Sequence, residues 1–425
     1  METDPLVAGM MDAGLGSGGT ATLTAADLAR VGRGTPAGEW FRRYWMVVRR
    51  SDDLRDIPVR VRILGEDLVL FRNGEGRLGL LGLHCPHRGT SLEYGDVETS
   101  GLRCPYHGWL FDVAGACLEQ PAEPPGSTFH EKVRHLSYPV RELGGLIFAY
   151  LGPSDQEPPL PQYAPLAEPG GQRRIEAARH YDYNWYNFIE NGADPAHFST
   201  LHLSDPDDGT WRSWFFNARD VPPFDAVETD YGMKVVSRKP AAEPGMSYVD
   251  EKSYALPGVM QIGDTEFTHF KEPREALARG SSNAHWMFVT PDDDDHFTLY
   301  TVDHYTGPDP DFMTRLAPSR RPVAAAAKPE HDHRPLSPYR GSVRLEDIMT
   351  QSTQGNVACR EERLAASDKG IILQRRIILN AVDRVRRGLR PRGVLAPEEA
   401  DRLVRMDSFT GIRAYPPKPD HRTPE

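Results

Sequence analysis

"CPHRGTSLEYGDVETSGLRCPYHGW", residues 85–109, sets two Cys and two His in the order Cys85-x-His87, sixteen residues, Cys104-x2-His107. Each Cys is followed within three positions by a His, and Pro and Gly flank both pairs. A zinc site of two Cys and two His is one reading. Zinc motifs, however, usually separate each pair by two or more residues and close the set with His-x3–5-His. A Cys-x-His turn is poorly suited to chelating one tetrahedral ion with both side chains. Scattered core residues are the bland reading, which leaves four ligand-type side chains within 25 residues to chance.

The third reading is a [2Fe–2S] cluster of Rieske type, in which two Cys hold one iron and two His hold the other. Each turn then delivers a thiolate inward and an imidazole outward. Pro and Gly let backbone N–H groups point at the sulfurs. Around the segment, from Trp40 to about Gly152, the pattern is β-like: "YWMVVRR", "VRVRIL", "DLVLFRN", "GLLGLHC" and "LIFAYLG" are short Val, Ile, Leu and aromatic runs between Gly and Asn turns. They predict a small antiparallel domain with the Cys/His segment on two loops.

The rest of the 425 residues needs a separate task. A net charge of −11 advertises neither nucleic acid nor an anionic membrane. No run of about 18 apolar residues would span a bilayer. The N-terminus lacks the basic and apolar regions of a secretory signal. Four Cys in so long a chain fit a reducing cytoplasm, not a disulfide framework. Residues 1 to about 20 are Gly, Ala and Thr rich; "TAADLARVGRG" reads as a short helix capped by Thr24 with Asp27. The Pro-dense stretch 153–171 is a linker or crossover. β-like segments run from about Val227 to Tyr305, 317–341 is a long polar loop, and Ser342 to about Gly388 is helical. The final residues, rich in Pro and charge, are expected to fray.

"NWYNFIENGADPAHFSTLH" holds a second constellation, Asp194-x2-His197-x4-His202. A mononuclear iron(II) oxygenase needs two His and one carboxylate on one face, with other positions open for O2 and substrate. Asp194 and His197 share a helix face. An i, i+5 pair lies about 140° apart on an ideal helix, so His197 and His202 converge only if the turn loosens. Gly192 and Pro195 speak for such a break. Two incidental His at a helix end are the plain alternative.

"CPHRG" and "CPYHGW" resemble the two cluster loops of the Rieske non-haem iron ring-hydroxylating oxygenases, and the resemblance extends over roughly residues 40–385. It implies an α+β chain: an N-terminal all-β Rieske [2Fe–2S] domain and a C-terminal helix-grip catalytic domain, an antiparallel sheet around a long helix. The boundaries follow as 1–35 for a flexible N-terminal segment, 36–155 for the Rieske domain, 156–395 for the catalytic domain and 396–425 for a tail. By the same resemblance Cys85, His87, Cys104 and His107 bind the cluster, and His197 and His202 bind the iron. Asp194 bridges to a cluster His, namely His107 of a neighbouring subunit. The third iron ligand lies in "RLEDIMTQSTQGNVACREERLAASDKG", which is similar to the phthalate-dioxygenase-like branch; the matching acid is Asp347, with Glu346 next and Asp368 later.

This likeness further implies O2-dependent mono- or cis-dihydroxylation, or oxidative demethylation, of an aromatic, usually carboxylated small molecule. No FAD, FMN or NAD fingerprint appears, and "GLGSGG" near the start follows no strand. Electrons therefore come from a separate reductase, with or without a ferredoxin, and ultimately from NADH. Head-to-tail pairing implies a homo-oligomer, a trimer or a dimer of trimers. A non-catalytic Rieske electron carrier with an accessory domain is the competing reading.

Weaker expectations complete the reading. Asn184, Asn187, Phe188 and Asn191 follow 3–4 spacing and are candidates for facing the iron. Trp185 reads as core and Trp109 as packing under the cluster. "HDH" at 331–333 reads as surface. Cys117 and Cys359 read as buried thiols. The sheet from 227 to 305 and the loop from 317 to 341 are expected to shape the pocket.

Overall fold

The structure is a computed structural model that describes residues 22–202, 221–241, 244–262, 282–315, 343–406 and 408–414. The predicted β runs become three small antiparallel sheets. Trp45–Arg50, Leu146–Tyr150 and Val140–Leu143 form one. Val59–Ile63, Glu66–Arg72, Leu78–Gly82 and Ser137–Tyr138 form the second. Asp96–Val97, Gly101–Arg103, Leu110–Asp112 and Cys117–Glu119 form the third. The first cluster loop follows Leu78–Gly82 of the second sheet, and the second joins Gly101–Arg103 to Leu110–Asp112 in the third.

Beyond residue 171 a nine-stranded sheet dominates. Its path runs Gln172–Ile175, Phe297–Thr306, Ser282–Pro291, Val259–Ile262, Met246–Ala255, Gly232–Pro240, Phe224–Glu228, with Arg179–Tyr181 and Thr410–Ala414 joining at its flanks. Alternation along the strands separates two cores. Tyr254, Met260, Met287, Val289 and Leu299 face inward, onto the helices. Trp286, Phe288, Tyr300 and Val302 face outward, onto Trp45, Val47 and Phe148 of the N-terminal sheets.

Besides the short helices Ala164–Ala167 and Phe312–Arg315, the described α-helices are α1 (Pro36–Phe41), α2 (Trp185–Gly192), α3 (Phe198–Leu201), α4 (Val343–Thr353) and α5 (Lys369–Arg386). α5 is the long helix in the grip of the sheet: Ile371, Leu373, Ile377, Ile378, Ala381, Val382 and Val385 are buried along it at 3–4 spacing. Gln374 Nε2 of α5 donates to the Ile189 carbonyl of α2 at 3.1 Å. At Gly370 a Cβ would stand 2.0 Å from the Ala193 carbonyl oxygen. Only glycine lets α5 start against the end of α2.

Several expectations change here. The segment expected to be flexible over 1–35 packs into the core from Leu23 onward: Leu28 and Val31 are fully buried, and the Trp185 indole donates to the Leu28 carbonyl at 3.1 Å. The helix read in 24–34 is a short 3-10 turn, Ala25–Leu28, before which Thr24 N and Oγ1 both donate to Asp27 Oδ2 at 2.7 and 3.1 Å. The tail does not simply fray, because Thr410–Ala414 pairs with Met246–Asp250 as an edge strand. The helical run from 342 to 388 is two helices, interrupted after Thr353, where Gly355 adopts φ +74°. The side-chain hydroxyls, Gly and Asn there favour a break that the apolar period hid. Cys359 is exposed, not buried; Cys117 is buried as expected.

Candidate functional site

The two cluster loops are built alike. Gly89 N–H donates to the Cys85 carbonyl and Gly108 N–H to the Cys104 carbonyl, at 2.8 and 3.1 Å. Cys85 N–H donates to Thr90 O and Cys104 N–H to Trp109 O, at 2.9 and 2.8 Å. Gly89 and Gly108 close the turns at φ +81° and +73°, a region that favours glycine. Both Cys are buried, at 2% and 3% exposure, and their thiols meet. The His87 and His107 rings lie outside them, 4.6 Å apart between centroids. Trp109 stacks on His87 at 4.5 Å and an 8° tilt.

This donor set fits a Rieske cluster. Burial pushes the Cys85 thiol up to about 12, and contact with Cys104 adds to the rise. Such a thiol becomes a thiolate only when a bound cation compensates it.

The second site lies where α2 stops. The helix ends at Gly192, Asp194 is extended at φ −111° and ψ 92°, and Pro195–His197 is a 3-10 turn leading into α3. The Asp194 side chain caps that turn, accepting from Ala196 N at 2.8 Å. This break brings the i, i+5 pair together: the His197 and His202 rings stand 5.1 Å apart between centroids. α4 supplies the acid. One ligand atom each from His197, His202 and Asp347 lie within 4.8 Å of one another.

Hydrogen bonds fix both imidazoles. His197 Nδ1 donates to the Asp194 carbonyl, and His202 Nδ1 donates to Glu346 Oε2 at 2.9 Å. Each ring therefore turns an Nε2 lone pair inward. Asp347 Oδ1 sits 3.1 Å from His202 Nε2 and 3.7 Å from His197 Nε2. Three acceptors converge, an arrangement that repels unless a cation lies among them. Burial pushes His197 down to about 3, which leaves it neutral and ligand-ready at pH 7. Two His and one carboxylate are the donor set of an iron(II) site with open positions.

The structure sorts the weaker candidates. Asn191 belongs to the site, its Nδ2 standing 3.3 Å from Asp347 Oδ1 and 3.5 Å from His197 Nε2. Asn184, Asn187 and Phe188 are engaged elsewhere. Asn184 caps α2 and bonds the Ala29 and Asp294 carbonyls. Asn187 ties α2 to the Gln351 and Gly355 carbonyls, both at 2.9 Å. Phe188 packs on Tyr181 and Phe297. Asp368 lies at the start of α5 and accepts from Ala365 N. The loop 317–341, with "HDH", lies outside the described residues.

Sequence reading missed two features. Glu346 orients His202 instead of competing with Asp347, because adjacent helix positions point in different directions. Glu190 of α2 is held by Arg360 and Arg375 at 2.9 and 3.0 Å, a buried ion cluster under the site with no local signature.

A Rieske [2Fe-2S] domain matches residues 44–139. The phenoxybenzoate dioxygenase alpha subunit of Ectopseudomonas oleovorans is 37% identical over 90% of this chain and 90% of its own. The chain belongs to the Rieske non-haem iron oxygenases. The 5,5'-dehydrodivanillate O-demethylase oxygenase subunit of Sphingobium is 33% identical over 90% and 85%. The structure of dicamba monooxygenase bound to dicamba superposes with a TM-score of 0.60 at 17% identity, over 82% of this oxygenase and 99% of that chain, and shares its fold. The chain is thus an oxygenase subunit with a Rieske cluster and a mononuclear iron, served by a separate reductase. No described helix is long and apolar enough to cross a membrane.

Proposed function

We propose that this oxygenase hydroxylates or oxidatively demethylates an aromatic, carboxylated small molecule. The substrate class follows from relatives named for phenoxybenzoate, dehydrodivanillate and phthalate. One observation carries the reading: the inward lone pairs of His197 and His202 meeting Asp347. It favours an oxygenase over an electron carrier, which needs no second metal.

In this reading Cys85, His87, Cys104 and His107 hold the cluster, and His197, His202 and Asp347 hold the iron. The cluster supplies single electrons and the iron supplies O2 activation. Glu346 and the Asp194 carbonyl keep the two imidazoles aimed. Asn191 donates toward the Asp347 oxygen and steadies it. Residues 36–155 form the Rieske domain, 156–395 the catalytic domain and 396–425 the tail, whose strand closes the sheet edge.

Asp194 serves a copy of the chain. Among the described residues it makes no hydrogen bond to His107. Its carboxylate lines a cavity of about 380 Å3 with Glu190, Asn191, His197, Thr200 and Gln354. This supports a head-to-tail homo-oligomer, a trimer or dimer of trimers, in which Asp194 receives His107 of the partner subunit. The reductase draws on NADH, with or without a ferredoxin. Four unpaired Cys favour the cytoplasm.

The test is O2 uptake by anaerobically purified enzyme with reductase and a panel of aromatic acids. Product formation is expected, and Asp194→Ala should keep both metals yet lose turnover. No uptake with any acid would overturn the reading.

A further inference from the structure

Beside the iron site, the inner face of the large sheet carries a polar row. Register aligns Lys252 with Ile262, Ile262 with His285, His285 with Asp303, and Asp303 with Arg174. These positions share the face of Tyr254, Met260 and Met287, one step further along each strand. Two contacts place the row next to the iron ligands. A Cβ on Gly192, at the end of α2, would stand 2.1 Å from Met260 Cε in the adjoining row. Lys252 Nζ lies 3.4 Å from the centroid of Phe198, the neighbour of His197.

His285 is held in one orientation. Its Nδ1 stands 2.6 Å from Asp303 Oδ1, and Asp303 Oδ2 accepts from Arg174 at 2.8 Å. A carboxylate only accepts, so Nδ1 carries a proton, and in the neutral imidazole Nε2 then presents a lone pair. Arg174 also faces Glu176, which pairs with Arg179, so the carboxylate that holds His285 is itself fixed in place. Nε2 has no hydrogen-bond partner among the described residues. The side chain keeps 13% exposure and partly buried Ile262 lies beside it, so this edge is an open acceptor next to an apolar surface.

We propose that His285 determines specificity by accepting, at Nε2, a hydrogen bond from a hydroxyl group on the aromatic substrate. Asp303 and Arg174 are its positioning residues. The inference rests on the oxygenase reading and narrows its substrates to phenols. A methyl ether in place of the hydroxyl sets acceptor against acceptor and leaves the buried group unpaired. Ile262 offers the ring its apolar contact.

The probes are 4-hydroxy-3-methoxybenzoate and 3,4-dimethoxybenzoate, which differ in that one hydroxyl. Dissociation constants are measured calorimetrically on the anaerobic holoenzyme, with cluster absorbance as the check on folding. The hydroxy acid should bind about tenfold tighter or better. His285→Ala should erase that preference by weakening the hydroxy acid alone, and His285→Gln, whose carbonyl replaces Nε2, should restore part of it. Equal binding, preference for the dimethoxy acid, binding of neither, or equal weakening of both by His285→Ala overturns the inference. Uptake of O2 with acids that lack a hydroxyl, unchanged in His285→Ala, overturns it while the oxygenase reading stands. Uptake with no aromatic acid at all overturns that reading instead.

Discussion

Glu346 Oε2 accepts a hydrogen bond from His202 Nδ1 at 2.9 Å, and both side chains are almost fully buried. The neighbouring Asp347 reaches the other nitrogen of the same ring at 3.1 Å. Two successive acids therefore divide the imidazole between them. In the proposed iron site Asp347 is the ligand and Glu346 sets the tautomer. Replacing Glu346 by Ala frees the ring to turn, and supporting carboxylates of this kind are worth about 10–100-fold in metal affinity. Iron titration should show a loss of that size with the Rieske absorbance intact. Unchanged iron affinity would remove Glu346 from the account.

His197→Ala should strip the mononuclear iron and spare the cluster, whereas Cys104→Ser should do the reverse. Iron analysis is expected to fall from about three per chain to about two in the first and about one in the second. Visible absorbance, lost only in the second, assigns each iron to its loop. Zinc in a colourless preparation would contradict both assignments.

Gly370→Ala tests how α5 supports the site. The added methyl meets the Ala193 carbonyl, one residue before Asp194 and four before His197. Displacing that turn should cost about 1–3 kcal/mol of stability. Turnover should fall further than stability alone explains, because the His197 Nδ1 bond to the Asp194 carbonyl moves with it. Wild-type kinetics in a folded Gly370→Ala protein would show that the contact is dispensable.

Acid pH should expose the Asp303 interaction. Burial raises this carboxyl, but the His285 hydrogen bond and the nearby Arg174 charge outweigh it and hold the group down to about 2. A depressed value stabilises the fold above the unfolded value near 3.9 and loses that stabilisation as pH falls toward 2. The contribution is roughly 2 kcal/mol. Urea unfolding at pH 5 and pH 3 should show a larger loss for wild type than for Asp303→Asn. Equal losses in the two proteins would detach Asp303 from acid stability.

The cluster loops and the Asp-x2-His-x4-His turn were legible because their chemistry is local. Cys85, His87, Cys104 and His107 announce themselves within one segment, and Gly192 with Pro195 marks the break that lets His197 and His202 converge. The period-2 runs likewise foretold the strands. Asn184, Asn187 and Phe188 misled because 3–4 spacing states which residues share a helix, not which neighbour that face meets. Tertiary contacts to Ala29, Gln351 and Phe297 decided it. The tail strand was hidden for the same reason: Thr410–Ala414 is a strand because the Met246–Asp250 edge is there to receive it. His285 gave no signal at all, since its partner Asp303 is set by strand register.

α4 is moored twice. Near its end Asn187 grips the Gln351 and Gly355 carbonyls, and near its beginning Glu346 and Asp347 meet the two histidines. The first mooring is neutral amide chemistry and indifferent to what occupies the site. In the second, Glu346 keeps its hydrogen bond to His202, whereas Asp347 faces imidazole acceptors that it holds to only around a cation. Chelation should therefore loosen the helix from one side, with amide exchange quickening around residues 344–348 while Gln351 stays protected. The active centre thus doubles as a hinge pin for the segment that completes it.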